Sequence, residues 1–382
     1  MGWQVFVFVI VRTIMNTSVR MVYPYLKVFE TGLGVDQKMI AIALTSRQLA
    51  GVAGPFLASV ADSRGRKTGM LLGLLLLIAG TGLVIVFPGY ASFVLVLVLG
   101  LLGNFVFVAS MQAYLGDRVE YERRGFVLGL TELGWSLSFL VAVPLMGWLI
   151  NQFGWKAPFP VLGGLSIISF LYLMARLPAD DAHGSSQMSL WRNFGRVFSF
   201  PPAIAGLVMG ASLSASNELI NVVFGVWLKD SFAIEIAGLG ATAFVIGVSE
   251  LGGEGLSSLL ADRLGKGRAV ASGILVYIGC ILLLPMLGKS YIGAIIGLFF
   301  IYLTFEFAVV SSMPLMTEVL PKARATLMAV FIASMSLGRA LGDLLAFPLY
   351  NRGIFWIALG GAVFASLSWL SLAWLRGRAS DL

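Results

Sequence analysis

The chain alternates between long apolar stretches and short polar turns. The apolar stretches run for about 20 residues without the period-2 alternation of an outer-membrane strand, which excludes a β-barrel and indicates membrane-spanning helices. The predicted spans number twelve and cover 3–28, 37–60, 68–87, 92–115, 126–150, 157–175, 201–228, 238–260, 269–287, 291–315, 324–347 and 354–375. This pattern predicts an all-α membrane protein with no room for a sizeable soluble domain.

The composition excludes several classes of function. The 382 residues are 58% hydrophobic and 12% charged, with a mean hydropathy of +0.92, whereas soluble domains carry about 25% charged residues. A single cysteine, Cys280, and a single histidine, His183, leave no internal disulfide and no His/Cys metal site. The sequence also lacks a nucleophile–base set and a phosphate-binding loop. We therefore expect no enzyme activity, no cofactor and no bound metal.

The basic residues lie mainly in loops on one side of the predicted membrane. Of the 26 Lys and Arg, four lie inside spans and sixteen lie in loops on the side shared by both termini. The remaining six lie in the opposite loops and are Lys27, Lys38, Lys156, Lys229, Lys289 and Arg352. Because basic loops stay in the cytoplasm, both termini are predicted to be cytoplasmic. The net charge of +7 thus reflects topology in a multi-pass protein of the cell (cytoplasmic) membrane, and we expect contact with membrane lipids, a monomer and no nucleic-acid partner.

The two halves of the chain repeat one another. Residues 61–66 read A-D-S-R-G-R, and residues 261–266, 200 positions later, read A-D-R-L-G-K. Asp117 and Glu318, 201 positions apart, follow the fourth span of each half. The repeat predicts an N-terminal six-helix bundle at 1–176, a cytoplasmic linker at 177–200 and a C-terminal six-helix bundle at 201–382. Two pseudo-symmetric bundles around a central site are how many transporters achieve alternating access.

These motifs resemble the major facilitator superfamily over the whole chain. The family signature G-x-L-A-D-R-x-G-R-K is similar to residues 58–67, which read A-S-V-A-D-S-R-G-R-K, and the turn G-W-R-x-P-F is similar to residues 154–159. Gly252-Gly253-Glu254, ahead of the second copy of the signature, resembles the bacterial drug:proton antiporter branch of efflux type. The resemblance implies a secondary transporter that moves a small organic solute by alternating access, coupled to protons and directed outward.

Two departures from the family pattern leave other transport modes open. The fourth span contains no arginine, which proton-coupled members often carry, and the antiporter pattern G-P-x-x-G-G is reduced to V-P-L-M-G at 143–147. A uniporter, a lipid or amphiphile flippase, and a membrane sensor without transport are therefore alternatives of the same fold.

The resemblance also implies a charge cluster at the cytoplasmic ends of the spans. Asp62 and Arg66 are four residues apart, a spacing that permits contact at a helix end. Family members brace the cytoplasmic side of the outward-open state with this cluster. The predicted latch consists of Asp62, Arg66 and Asp117, with Asp262, Lys266 and Glu318 as its counterpart. The alternative is that these are exposed loop charges that only set topology.

Ten ionisable residues lie inside the predicted spans, where an unpaired charge costs several kcal/mol. Arg12 and Glu132 lie at depths that agree to about 5 Å, so we expect them to pair. Arg47 and Asp343, in the outer halves of the second and eleventh spans, are predicted to form an external gate together with Arg339. Static structural contacts are the alternative for each pair. The ten residues are Arg12, Arg20, Arg47, Glu132, Glu218, Glu250, Glu254, Glu306, Arg339 and Asp343.

Family architecture implies that the first, fourth, seventh and tenth spans surround the substrate cavity. The candidate cavity residues are Arg12, Asn16, Asn104, Asn217, Glu218, Asn221 and Glu306. Two buried acids with amides beside them favour a cationic or neutral polar solute, although Arg12 and Arg20 would reverse this preference if they also faced the cavity.

A carboxylate cluster is the candidate site of proton coupling. Glu250 and Glu254 share one helix face, so at least one of them is expected to carry a proton near neutral pH. Glu132 is expected to join them, and Glu218 and Glu306 are the next candidates. The alternative is that Ser249 or Ser257 donates hydrogen bonds to these acids, which then never titrate.

The charge distribution generates a test of topology. We expect a cysteine introduced at Ser185, in the predicted linker, to remain unlabelled when intact cells are treated with an impermeant thiol reagent. Strong labelling from outside would show that the predicted orientation is inverted.

Overall fold

The chain is helical in a computed structural model that describes residues 2–54, 57, 65–178 and 194–379, and those ranges contain no strand. The helices are α1 (Gly2–Arg20), α2 (Leu26–Leu33), α3 (Gln37–Val52), α4 (Arg66–Val86), α5 (Tyr90–Arg118), α6 (Tyr121–Leu137), α7 (Val143–Phe153), α8 (Pro158–Arg176), α9 (Pro201–Phe232), α10 (Ile236–Leu264), α11 (Lys266–Leu287), α12 (Tyr291–Val319), α13 (Arg324–Tyr350) and α14 (Ile354–Ala379). A π-helical segment, Ser138–Ala142, joins α6 to α7, and a 3₁₀ turn, Pro321–Ala323, precedes α13.

Within the described ranges, 11 helical segments are long and apolar enough to cross a membrane. They correspond to eleven of the predicted spans. The second predicted span begins with α3, which has 16 residues, and most of the rest of that span lies outside the described residues. The first span departs from its predicted course: α1 ends at Arg20 and the chain turns before α2 begins at Leu26. Pro24 explains the break, because it has no N–H to donate and disfavours helix at the residue before it.

The helices divide into two compact units. Unit 1 comprises Met1–Ser185 and Glu235–Gly247, and unit 2 comprises Ser186–Ile234 and Val248–Leu382. Helix α10 therefore contributes its first part to unit 1 and its second part to unit 2. The predicted domain bounds at 176 and 201 remain a prediction.

Glycines bring helix backbones into contact within unit 1. A Cβ at Gly73 on α4 would lie 2.6 Å from the carbonyl oxygen of Gly103 on α5, and a Cβ at Gly103 would lie 2.5 Å from the carbonyl oxygen of Gly73. At Gly134 on α6, a Cβ would lie 2.7 Å from the Cβ of Arg12 on α1. Small residues at such crossings maximise van der Waals contact between helices in lipid, where no hydrophobic force drives association.

Unit 2 uses the same device where α9 crosses α13. A Cβ at Gly338 would overlap the carbonyl group of Ala211, and a Cβ at Gly342 would lie 2.6 Å from the Cβ of Glu218. Helix α14 adds hydrogen bonds to α9, since Ser216 Oγ donates to the Gly361 carbonyl oxygen at 2.7 Å. The α9–α13 crossing therefore has no space for a methyl group at either glycine.

A matched pair of alanine substitutions tests this close packing. We expect Gly338→Ala to lower the free energy of unfolding by about 1–3 kcal/mol, because the new methyl group overlaps backbone atoms of α9. Gly279→Ala on α11 is the control, since a Cβ there meets no described atom within 4 Å and alanine favours helix by about 1 kcal/mol. Thermal unfolding in detergent measures both. Equal unfolding temperatures for the two variants would contradict the assigned crossing.

Candidate functional site

An ion pair between α1 and α6 forms the centre of the polar site in unit 1. Arg12 Nη1 lies 2.8 Å from Glu132 Oε1, and Arg12 Nη2 donates to Glu132 Oε2 at 2.9 Å. The Arg12 side chain is 6% exposed, whereas that of Glu132 is 45% exposed. Gln112 on α5 donates a further hydrogen bond to Glu132 Oε1 at 3.3 Å. The pairing predicted from the depths of the two residues is present, and it neutralises both charges.

A chain of amides extends this site between α1, α5 and α6. Asn16 Nδ2 donates to the carbonyl oxygen of Gly134 at 3.1 Å, and Asn104 Nδ2 donates to Asn16 Oδ1 at 2.9 Å. The Asn104 Oδ1 atom is buried and has no hydrogen-bond partner in the part of the chain that the structure describes. Two predicted cavity residues are thus in contact, and one of them presents a free acceptor.

Arg20 is held in an aromatic clamp. Its guanidinium lies 4.0 Å from the ring centroid of Trp135 and 3.7 Å from that of Phe139. Its Nη1 donates to the Trp135 carbonyl oxygen at 2.8 Å and to Ser138 Oγ at 3.1 Å. The sequence predicted that Arg20 lies inside a span but indicated none of these partners. No sequence pattern predicts the π-helix that begins at Ser138. Arg20 is therefore engaged by protein groups in unit 1.

Arg47 is also buried, and it donates two hydrogen bonds within unit 1. Its residue exposure is 0%; Nη1 donates to the Val19 carbonyl oxygen at 2.9 Å, and Nη2 donates to the Tyr23 hydroxyl at 2.5 Å. Tyr23 lies in the turn that Pro24 produces after α1, so this break positions an Arg47 partner. Asp343 on α13 is buried in unit 2. Its predicted pairing with Arg47 remains a prediction.

A buried acid in unit 2 lies beside a hydrogen bond that joins α9 to α12. Glu218 is 1% exposed, and Asn221 Nδ2 donates to its Oε2 at 3.3 Å. The Tyr302 hydroxyl donates to Asn221 Oδ1, and the Tyr302 ring packs edge-on against Phe224. The Asn217 Oδ1 atom, also on α9, is buried without a hydrogen-bond partner among the described residues. Three predicted cavity residues thus lie along one stretch of α9.

Glu306 on α12 packs against α10 close to two other acids, Glu250 and Glu254. Glu250 and Glu306 are buried, and Glu254 is half-buried. A Cβ at Gly253 would lie 2.8 Å from the Cβ of Glu306, which places Glu306 beside the residue before Glu254 and one turn from Glu250. From the sequence, Glu306 was only a secondary candidate for proton coupling. The sequence does not indicate where two helices cross, apart from the glycine at the crossing.

Ser257, one of the two serines considered as hydrogen-bond donors to these acids, pairs with another serine. Its hydroxyl lies 2.8 Å from that of Ser311 on α12, and either atom donates. This hydrogen bond joins α10 to α12 and involves no glutamate. The predicted membership of Glu132 in the acid cluster remains a prediction.

The two units carry equivalent ion pairs at the helix ends that the sequence predicts to be cytoplasmic. Arg66 Nε lies 3.2 Å from Asp117 Oδ2 in unit 1, and Lys266 Nζ contacts Glu318 Oε1 in unit 2. The pairs occupy positions 200 and 201 residues apart, as the repeat predicts. Asp262 is exposed. Asp62, the remaining member of the predicted latch, lies outside the described residues.

Arg339 differs from the other three arginines inside the spans. It is half-buried on α13, one residue after Gly338. It makes no hydrogen bond or ion pair with any residue in the ranges that the structure describes.

Comparison with known proteins identifies the fold. The family model described as Major Facilitator Superfamily matches residues 6–343. An uncharacterized MFS-type transporter, YceJ of Bacillus subtilis, is 25% identical over 91% of this chain and 89% of its own length. Multidrug resistance protein MdtG of Serratia proteamaculans is 26% identical over 62% of this chain and 58% of its length.

A solved structure supports the same assignment of fold. A bacterial homolog of the human lysosomal transporter Spinster, in an inward-facing and unoccupied conformation, matches with a TM-score of 0.75 and 14% identity over 99% of this chain and 95% of its own. The predicted fold class, an all-α membrane protein built from two six-helix bundles, is confirmed.

The Arg12–Glu132 contact generates a double-mutant test. We expect Glu132→Gln to lower the free energy of unfolding by about 2 kcal/mol, less than the loss for a fully enclosed pair because Glu132 is half exposed. Arg12→Gln/Glu132→Gln should recover part of this loss, since no buried charge is left unpaired.

The exposed pair Arg66–Asp117 is the control. Arg66→Gln/Asp117→Asn should change the free energy of unfolding by about 0–1 kcal/mol. Thermal unfolding in detergent measures all variants. Strictly additive losses at Arg12 and Glu132 would show that the two charges do not interact in the membrane.

Proposed function

Because the chain belongs to the Major Facilitator Superfamily, and is therefore a membrane transporter, we propose that it exports a small organic solute in exchange for protons by alternating access. The observation that carries this proposal is the packing of Glu306 on α12 against Gly253 on α10, close to Glu250 and Glu254. The relative MdtG, named a multidrug resistance protein, supports the outward direction.

The three acids are suited to carry a proton. Carboxylates crowded into a low dielectric repel one another, so binding a proton or a cation there is favoured. Loss of that proton to the other side of the membrane restores the repulsion and favours cation binding. Competition of this kind between proton and substrate is a coupling free energy between two ligands, which antiport requires.

The charges inside the spans differ between the two units. Away from the ends of the predicted spans, unit 1 carries three arginines and one acid, whereas unit 2 carries one arginine and five acids. The unit 2 acids are Glu218, Glu250, Glu254, Glu306 and Asp343. The acid excess in unit 2 favours a solute with a cationic or neutral polar group.

The arginines of unit 1 do not reverse this preference. Arg12 is neutralised by Glu132, and Arg20 is engaged by Trp135 and Phe139. The free amide oxygens of Asn104 and Asn217 are acceptors suited to N–H or O–H groups of the solute.

Ion pairs at both ends of the spans serve as gates in this proposal. The pairs Arg66–Asp117 and Lys266–Glu318, with Asp62 and Asp262, brace the cytoplasmic side when the site opens outward. Arg47 and Asp343 close the external side when it opens inward.

A groove in unit 1 favours a second candidate, a lipid or amphiphile flippase. It has a volume of about 740 Å³ between α1 and α6, with Phe6, Val9 and Leu130 in its apolar wall and Arg118 and Arg123 at one end. An acyl chain fits the wall and an anionic headgroup fits the arginines. Transport of a labelled lipid without any effect of a pH gradient would favour this candidate.

Proteoliposomes test the proposed coupling. A growth and dye-efflux screen across chemical classes first identifies a transported probe. We expect Glu250→Gln, Glu254→Gln or Glu306→Gln to lower the rate of uptake driven by a pH gradient tenfold or more. Gradient-free exchange of the probe should continue in each variant. The reason is that exchange requires only substrate movement, whereas driven uptake requires a titrating acid.

Glu235→Gln is the matched control, because Glu235 is exposed just before α10 begins. It should retain both modes. Full pH dependence in all three cluster variants would exclude this cluster as the coupling site. Transport by the parent protein that does not respond to the gradient would instead favour a uniporter.

A further inference from the structure

Arg339 is the arginine inside the spans that has no partner in the described ranges. Glu132 binds Arg12, aromatic rings and a carbonyl group hold Arg20, and Val19 and Tyr23 accept from Arg47. The absence of such groups around Arg339 is unexpected, because an uncompensated guanidinium in a membrane span costs several kcal/mol.

The depth of Arg339 makes snorkelling to a membrane surface difficult. Helix α13 runs from Arg324 to Tyr350, so Arg339 is 15 residues from its start and 11 residues from its end. At 1.5 Å per residue these separations are about 22 and 16 Å. The guanidinium therefore lies in the central part of the helix rather than near either end.

The side of α13 that carries Arg339 faces the protein. The exposed face of α13 includes Leu337 and Leu341, which are 48% and 46% exposed. At about 100° per residue, Arg339 lies about 160° around the helix from both. Asp343 and Ala346, which share its face, are fully buried. Arg339 thus points away from lipid, yet it is only partly buried, so part of the residue remains accessible.

An acid on the neighbouring helix, α9, lies close to the turn of α13 that follows Arg339. Gly342, one turn after Arg339, packs against the Cβ of Glu218. Asn221 donates to the Glu218 carboxylate, and no ion pair joins Glu218 to Arg339 among the described residues. Arg339 therefore does not serve as the counter-ion of Glu218, and its five N–H donors remain available to a ligand.

We propose that Arg339 binds an anionic group of the transported solute, and that the solute is a zwitterion that carries a carboxylate and a cationic group. A guanidinium matches a carboxylate with two parallel hydrogen bonds. The cationic group is then left for the acids of unit 2. This inference rests on the proposed transport function and adds the substrate class to it.

Ligand-dependent thermal unfolding of the full-length protein in detergent tests the proposal. The probes are a panel of free amino acids and betaines, each paired with an amide or ester that lacks the carboxylate. We expect at least one zwitterion to raise the unfolding temperature of the parent protein and to bind at least about tenfold more tightly than its uncharged partner.

Three variants locate the effect. Arg339→Gln should weaken binding of the zwitterion about tenfold or more and remove the preference over the amide or ester. Arg339→Lys should retain part of that preference, because it keeps the charge but loses the planar fork. Arg352→Gln, at an exposed loop position, should bind as the parent does. Unfolding without ligand shows whether each variant is folded.

Two results would overturn the proposal: no zwitterion of the panel stabilises the parent protein, or Arg339→Gln keeps the parent affinity and preference. Failure of the proton-coupling hypothesis gives a different result. In that case the glutamine variants of the α10–α12 acids keep pH-driven uptake, while the carboxylate preference still depends on Arg339.

Discussion

The hydrocarbon core of a membrane offers no hydrogen bonds and no counter-ions, and the arrangement of this protein depends on that constraint. Each of the three arginines inside the spans of unit 1 is stabilised by a different kind of partner. Arg12 binds a carboxylate, Arg20 lies between two aromatic rings and donates to a carbonyl group, and Arg47 donates to a carbonyl group and a phenol. These contacts also connect the helices, so the polar groups that are costly in lipid become links between spans.

Glycines determine where these polar groups meet. Gly134 lies against Arg12, Gly253 against Glu306, and Gly342 against Glu218. At each crossing the glycine has no side chain, so the neighbouring helix approaches until the Cβ of its ionisable residue contacts the glycine. The close packing that stabilises helices in lipid thus also brings buried charges near one another, and the two cannot be altered independently.

Gene duplication left the two units alike at their ends and different in their interiors. The pairs Arg66–Asp117 and Lys266–Glu318 occupy equivalent positions and make equivalent contacts. Inside the spans, by contrast, arginines predominate in unit 1 and acids in unit 2. The repeat therefore preserved the contacts at the helix ends, while the charges inside the spans diverged between the two units.

The sequence by itself determined the helical spans, the duplication, the family and those contacts that follow from position along a helix. The Arg12–Glu132 pair followed from depth, because distance along a membrane-spanning helix translates directly into height in the bilayer. The Arg66–Asp117 pair followed from the family resemblance. Height does not specify which face of one helix meets which face of another. Only the tertiary structure decided that a π-helix supports Arg20, that Glu306 packs against α10 close to its two acids, and that Arg339 lies on the protein-facing side of α13. Each of these depends on where two helices cross and how they are rotated about their axes.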